Sequence, residues 1–320
     1  MDKPLALWHL SEKHSALQEA EVPYHPEADC LVRASYSLVS TGTERLVARG
    51  QVPDSLQPYM SVPYMQGSFS FPIKYGYSLA GEVAEGPAEL QGKKVQLLHP
   101  HQQWCRVPAR ELTIIPEKVP PLRASLASNL ETALNAVWDS GVTVGDSVLL
   151  VGFGIIGSLL ARLLSGIKGL DLQIYDKDLN RNELAEKMGF RLADQPHQHF
   201  DLAFHCSGSS EGLQLCLDHT AFESKVIELS WYGQQQVGIQ LGGSFHYQRK
   251  QIVSSQVSHV SGRQRSRWDY QRRKALVMAL LEDSAYDQHI SEVIEFADSP
   301  ALFDKIRKGD NSALSWAIRY

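Results

Sequence analysis

Three glycines carry the strongest chemical signal in the chain. Gly152, Gly154 and Gly157, with Phe153, Ile155 and Ile156 between them, spell GxGxxG directly after the apolar run SVLLV (147–151). A glycine at the first position permits a tight turn, at the second it lets backbone approach a pyrophosphate, and at the third it lets helix and strand pack closely. The start of the helix that follows offers free N–H groups and a partial positive charge to phosphates. Asp176 stands about 20 residues on, just after the run LQIY (172–175), where a carboxylate accepts from both ribose hydroxyls and repels a 2′-phosphate. The spacing therefore favours NAD over NADP, and Lys177 and Arg181 nearby would soften that preference. The bland alternative is a glycine-rich strand–helix turn that holds no ligand.

Ligands of open parallel sheets bind beyond the carboxyl ends of the strands. Ser207-Gly208 and Ser230-Trp231 follow the runs DLAFHC (201–206) and KVIEL (225–229), so both would face the nicotinamide half. Glycine at 208 leaves room for a flat ring; the alternative for each pair is an ordinary βα turn.

These residues need elements that position them. The first 120 residues or so read as short strands broken by Gly and Pro, an all-β pattern. The stretch 53–71 has no clear period and reads as a surface loop, a candidate lid. Residues 122–140 place Leu126, Leu130, Leu134 and Val137 at helical spacing. Strands and helices then alternate: SVLLV, a helix over 155–165, LQIY, a helix over 179–188 ending at Gly189, DLAFHC, a helix over 212–219, and KVIEL. Such alternation predicts an α/β chain with a doubly wound parallel sheet. A helix over 272–282, a strand at 292–296, a helix opened by Ser299 as N-cap with Pro300 after it, and a last strand in SWAIRY complete the chain.

Composition limits the function classes. The chain has 320 residues, 43% hydrophobic and 21% charged, with a net charge of −5. That suits about two globular domains and excludes long disorder or a disulfide scaffold. The acidic balance argues against nucleic-acid binding. The uncharged run 147–161 is too short for a membrane span, and the N-terminus has no adequate apolar signal region. Cys30, Cys105, Cys206 and Cys216 form no CxxC pair, which predicts free thiols and a cytoplasmic location.

A dinucleotide fingerprint near residue 150, after a β-rich segment and before a β-rich tail, resembles the medium-chain dehydrogenase/reductase superfamily. The segments STGTE (40–44), YGYSLAGEV (75–83), VTVGDSVLLVGFGIIG (142–157) and YDKDLNRNELAEKMG (175–189) carry the resemblance. With LHPHQQWCRVPA (98–109) and SSQV (254–257), the pattern is most similar to the zinc-independent branch related to bacteriochlorophyllide a dehydrogenase. The resemblance implies a GroES-like catalytic domain at 1–120, a Rossmann domain at 121–258 and a return segment at 259–320 completing the first. It also implies a small-molecule substrate and a homodimer.

Departures from the family pattern imply the absence of zinc. Thr41 stands where zinc-dependent members carry cysteine, and Tyr77 stands where they carry histidine. Of the three positions only Glu131 could bind a metal, and zinc wants three or four such ligands. Without a Lewis acid, charge building on a substrate oxygen needs a proton donor or fixed hydrogen bond. The candidates are Tyr77, Glu44, His101 with His99, and Glu131. Each has a structural alternative: Tyr77 fills the volume of the missing metal, Glu44 pairs with Arg45 or a backbone amide, and the histidines are surface turn residues. The basic segment 263–274 is either a solvated face or an edge that recognises a carboxylate. The implied function is zinc-free, NAD(H)-dependent hydride transfer between nicotinamide and a secondary alcohol or ketone. The competing readings are an enone or quinone reductase and a dinucleotide-binding protein without turnover.

Overall fold

The computed structural model describes residues 3–320 except 23, 25, 28 and 194–198. The chain divides into two compact units, one built from Met1–Ser128 with Lys274–Tyr320 and the other from Asn129–Arg273. Both breaks fall later than the 120 and 258 expected from the sequence, for identifiable reasons. The Ser128 hydroxyl donates to the Tyr77 carbonyl at 2.8 Å, so the first turn of the helix Ala127–Ser140 belongs with the β-rich unit. Residues 259–273 are tied to the rest of that helix: Ser261 N donates to Asn135 Oδ1 at 3.2 Å and Arg273 Nε to Glu131 Oε1 at 3.0 Å.

The first unit is organised by the strand Cys30–Val39. It pairs antiparallel with Leu79–Glu85, Trp104–Val107 and Trp316–Arg319 within a seven-stranded sheet. A four-stranded sheet places Leu5–Ser11 between His14–Glu19 and Ile73–Lys74. Alternate residues of the long strand, Cys30, Val32 and Ala34, pack with Leu79, Val83, Val95 and Cys105, as a period of two requires. Cys30 and Cys105 act here as small apolar residues, and all four cysteines are free thiols.

Three local expectations are corrected. Residues 53–71 are not a bare loop: they hold a 3-10 turn Asp54–Leu56, a helix Gln57–Met60 with Pro58 in its first turn, and a strand Gln66–Gly67 paired with Ile73–Lys74. The helical stretch after residue 120 is two helices, Pro121–Ala124 and Ala127–Ser140, and the Ser125 carbonyl between them is taken by the Ser78 hydroxyl at 2.5 Å. Ser299 is not an N-cap; it is buried inside the helix Ser299–Arg307, and its hydroxyl donates to the Phe296 carbonyl at 2.7 Å.

The second unit is a doubly wound parallel sheet. Its strands lie in the order Asp171–Tyr175, Ser147–Val151, Phe200–His205, Thr220–Glu228, Gln251–Ser254, all parallel. Ser147–Val151 is buried beyond its first residue, which explains its unbroken apolar run. Side-chain caps start two of the intervening helices: Asp178 accepts from Asn180 N before Leu179–Lys187, and Ser209 accepts from Gly212 N before Ser210–His219. Among the described residues no helix is long and apolar enough to cross a membrane.

Candidate functional site

The GxGxxG turn joins the strand Ser147–Val151 to the helix Ile155–Ser165, with Ile155 and Ile156 in the helix's first turn. Gly152 has φ +102°, and a Cβ there would lie 2.6 Å from Ser207 N, so both conformation and space demand glycine. A Cβ on Gly157 would lie 2.0 Å from the Gly152 carbonyl oxygen, which is the close helix–turn packing the motif requires. At Gly154 a Cβ would meet nothing within 4 Å, leaving the backbone open to a ligand.

Asp176 is anchored to this turn. Its Oδ2 accepts from Phe153 N at 2.7 Å and its Oδ1 from Asp178 N at 2.9 Å. Asn182 brackets the Asp176 backbone, accepting from its N–H at 3.1 Å and donating to its carbonyl at 2.9 Å. Each carboxylate oxygen keeps a lone pair for a further donor. Asp176 and Lys177 line a cavity of about 510 Å³ with Ile174, Leu179, Asn182 and Leu192. Burial draws the nearby Arg181 guanidinium below its ordinary pKa, against the charges of Asp176 and Asp178.

A second polar cluster sits at the carboxyl ends of the strands Phe200–His205 and Thr220–Glu228, where their last residues, His205 and Glu228, are register partners. His205 is sealed from solvent, and its Nδ1 lies 2.9 and 2.8 Å from the two Glu228 oxygens. Its Nε2 lies 2.7 Å from Ser207 Oγ. Glu228 also accepts from Ser230 N at 2.7 Å and from the Tyr232 hydroxyl at 3.0 Å. Burial alone would raise the Glu228 carboxyl; the bonds from His205 and Ser230 outweigh it and hold the group below the usual range. Ser230 Oγ accepts from Gly208 N at 3.1 Å, so Ser207, Gly208 and Ser230 share one network. Neither His205 nor Glu228 stood out in the sequence. A polar residue closing each of two consecutive apolar strands was the available signal, but their pairing depends on register.

In the first unit, Glu44 and His101 are both buried, and Glu44 Oε2 lies 2.8 Å from His101 Nε2. Glu44 Oε1 accepts from Ser40 N at 2.8 Å, so its partner is a backbone amide together with His101, not Arg45. His101 Nδ1 continues to Ser37 Oγ at 2.7 Å, and that oxygen to the Tyr320 hydroxyl at 2.8 Å. The surface reading of the histidines fails: His99 is buried too, stacked on Tyr64, with Nδ1 donating to the Pro100 carbonyl at 2.9 Å. Burial pulls His99 down to about 3. Tyr77 is pushed up to about 12, by burial first and then by the Glu44 charge, with partial relief from the Ser40 and Thr43 side chains. Tyr77 therefore keeps its proton across the ordinary pH range and is suited to donating a hydrogen bond.

The positions that hold zinc in the resemblance do not suit the ion here. The Thr41 hydroxyl is buried without a partner among the described residues, and Tyr77 presents a neutral phenol. Glu131 is paired with Arg273 at 3.0 Å, both side chains being about 5% exposed. Among the described residues no three His, Cys, Asp or Glu side chains are grouped to hold a metal. Arg273 is thus a buried partner of Glu131, while Arg265 and Arg267 of the same basic segment are exposed.

Comparison with known proteins agrees with this architecture. Acetophenone reductase from Geotrichum candidum, solved in complex with NAD, superposes with a TM-score of 0.79 at 15% identity, covering 100% of this chain and 98% of that one. The 2R,3R-butanediol dehydrogenase of Bacillus subtilis gives 0.78 at 15% identity over 99% and 100% of the two chains. The chain shares the fold of these dehydrogenases. In sequence, D-guloside 3-dehydrogenase of Escherichia coli (strain K12) is 24% identical over 187 residues, 53% of each protein. The chain thus spans about half the length of the curated relatives it matches first. No protein-family model matches it.

Proposed function

We propose that this chain is a nicotinamide-dinucleotide-dependent oxidoreductase that works without zinc and prefers NAD(H). The observation that carries the reading is the geometry around Gly152: a turn closed to any side chain, a backbone left open at Gly154, and Asp176 fixed against Phe153 N. In this reading Gly152–Gly157 and the first turn of the helix Ile155–Ser165 hold the pyrophosphate, and Asp176 holds the adenosine ribose. Lys177 and Arg181 border that ribose, while Ser207, Gly208 and Ser230 border the nicotinamide half. When bound, the cofactor supplies or takes a hydride at ring C4.

The substrate class that fits is a secondary alcohol or ketone. Tyr77 would donate a hydrogen bond to the substrate oxygen, with Ser40 and Thr43 orienting its phenol. The buried run Glu44–His101–Ser37–Tyr320 would hold the wall of that site in one hydrogen-bonding pattern. The zinc-free reading is supported by the hydroxyls at Thr41 and Tyr77 and by the Glu131–Arg273 pair, and the placement beside bacteriochlorophyllide a dehydrogenase by the segments 40–44, 98–109 and 254–257. A homodimer and a cytoplasmic location belong to the same proposal.

Calorimetry with NADH and NADPH, metal analysis of the purified protein, and turnover on a secondary-alcohol panel beside an enone and quinone panel test the reading. It expects NADH uptake, no stoichiometric transition metal, and oxidation of a secondary alcohol. Failure to bind either nucleotide would overturn it at the root. Turnover confined to the second panel would transfer the chemistry to conjugate reduction, and binding without any turnover would make the protein a dinucleotide sensor.

A further inference from the structure

Asp176 stands one residue past the end of the strand Asp171–Tyr175, whose last pairing is Tyr175 with Val151. Its backbone N–H and carbonyl have left the ladder and need partners elsewhere. One side chain meets both. Asn182 Oδ1 accepts from Asp176 N at 3.1 Å, and Asn182 Nδ2 donates to the Asp176 carbonyl at 2.9 Å. A primary amide carries a donor and an acceptor side by side, so Asn182 stands in for one more residue of a neighbouring strand. An aspartate there could not donate, and an aliphatic residue could do neither.

The carboxylate is held from the other side. Phe153 N and Asp178 N donate to its two oxygens at 2.7 and 2.9 Å, and Asp178 in turn caps the helix Leu179–Lys187 that carries Asn182. Two bonds on the backbone and two on the carboxylate thus fix a single residue. The carboxylate bonds form only where the backbone places the side chain within reach of Phe153 N. Asn182 lines the same cavity as Asp176, but its oxygen and one amide hydrogen are already committed to the Asp176 backbone. What it lends that cavity is the placing of the acid.

We propose that Asn182 is a positioning residue: by completing the backbone hydrogen bonds of Asp176 it aims that carboxylate at a ribose 2′-hydroxyl, and so governs coenzyme selection without touching the hydroxyl. The inference rests on the dinucleotide reading above and adds to it a residue on the helix Leu179–Lys187. Without Asn182 the Asp176 backbone regains freedom, and ordering it again opposes binding of any ligand that uses the acid.

Calorimetric titration of NAD and its 2′-deoxyadenosine analogue into the wild type, Asn182→Ala, Asp176→Ser and the double variant tests this. The two ligands differ only in the hydroxyl that Asp176 accepts from in this reading. The wild type is expected to prefer NAD about 10- to 100-fold, the range for a hydrogen bond to a charged group. Asn182→Ala is expected to cut that preference about 5- to 10-fold and to bind the deoxy analogue as the wild type does. In the Asp176→Ser background the same change should alter neither affinity, because no acid is left to aim. An Asn182→Ala protein with the full preference overturns the inference. So does one that loses both ligands alike, because the role is then structural. An equal effect in the two backgrounds overturns it too, because Asn182 then acts on the ligand directly. Should the alanine variant not fold, Asn182→Asp keeps the acceptor for Asp176 N and loses only the donor; it is expected to lose part of the preference, and the full preference there overturns the inference. A wild type that binds neither ligand overturns the dinucleotide reading and this inference with it, whereas one that binds both alike overturns this inference alone.

Discussion

Arg273 Nε lies 3.0 Å from Glu131 Oε1, and both side chains are almost wholly buried. Arg273 also donates to Asn135 Oδ1 at 3.2 Å, so one guanidinium secures the segment after residue 259 to the helix Ala127–Ser140. Removing one partner of such a pair leaves a buried charge uncompensated. Arg273→Met is expected to lower the unfolding free energy by about 3 kcal/mol. The double change Glu131→Met with Arg273→Met should cost clearly less than the sum of the single changes. Urea unfolding of the three variants checks this, and strictly additive losses would remove the ion pair from the explanation.

Gly157 cannot accept a side chain without moving the turn, because its Cβ would lie 2.0 Å from the Gly152 carbonyl oxygen. Gly157→Ala is expected to destabilise the protein by about 2–3 kcal/mol, the ordinary cost of forced overpacking. Gly154→Ala meets open space and should leave the melting temperature near the wild-type value while weakening nucleotide uptake. Thermal unfolding and NADH titration of the two variants separate a packing glycine from one needed for close approach.

Asp176→Ser removes the acceptor for Phe153 N and Asp178 N and also the charge that would repel a 2′-phosphate. NAD affinity is expected to fall about 10- to 100-fold, the range for hydrogen bonds to a charged group. NADP affinity should change little or improve, with Lys177 and Arg181 beside the position. Calorimetry with both nucleotides reads the ratio directly.

Tyr77→Phe removes the phenol hydroxyl and keeps the ring that meets Tyr75 edge-on at 6.0 Å. If Tyr77 supplies the hydrogen bond to the substrate oxygen, kcat should fall about 10²-fold or more, with the melting temperature nearly unchanged. A loss well under about 10-fold would leave Tyr77 with a packing role only.

Two buried histidines link stability to pH. Burial, the largest cause for each, lowers His9 and His99 from an ordinary 6.5 to about 3. As pH falls through 6.5 the unfolded chain takes up protons at these sites, and the folded protein does so only near 3. Their contribution is therefore complete above pH 6.5 and is lost progressively as pH falls from 6.5 toward 3. Urea midpoints measured from pH 7 to pH 4 should fall, and His99→Asn should flatten the slope.

The legible parts of this protein were those encoded by local pattern. The parallel sheet was readable because SVLLV, LQIY and DLAFHC are apolar runs at strand length, separated by helical periods. The glycine turn was readable because steric demands at Gly152 and Gly157 are met by residues a few positions away. Ser299 misled because Ser-Pro is a strong opening signal locally, yet its hydroxyl found the Phe296 carbonyl inside the core. The networks were not legible. Glu44 meets His101, and His101 meets Ser37 and through it Tyr320, across separations that only the tertiary fold closes. His205 and Glu228 meet because parallel register sets them side by side, and nothing in either strand's own pattern specifies that register.

The first unit is discontinuous in the chain: its longest strand, Cys30–Val39, is completed by Trp316–Arg319, a strand synthesised long after it. On a ribosome the 36–39 end of that strand must therefore wait without its partner while everything between them is made, although Trp104–Val107 can already pair with its 30–33 end. The inserted unit has all its strands within one continuous stretch and is the first able to finish folding. Birth order and fold order thus run opposite ways in this polypeptide. The waiting edge of Cys30–Val39 is the place where a nascent chain is exposed to mispairing with its neighbours.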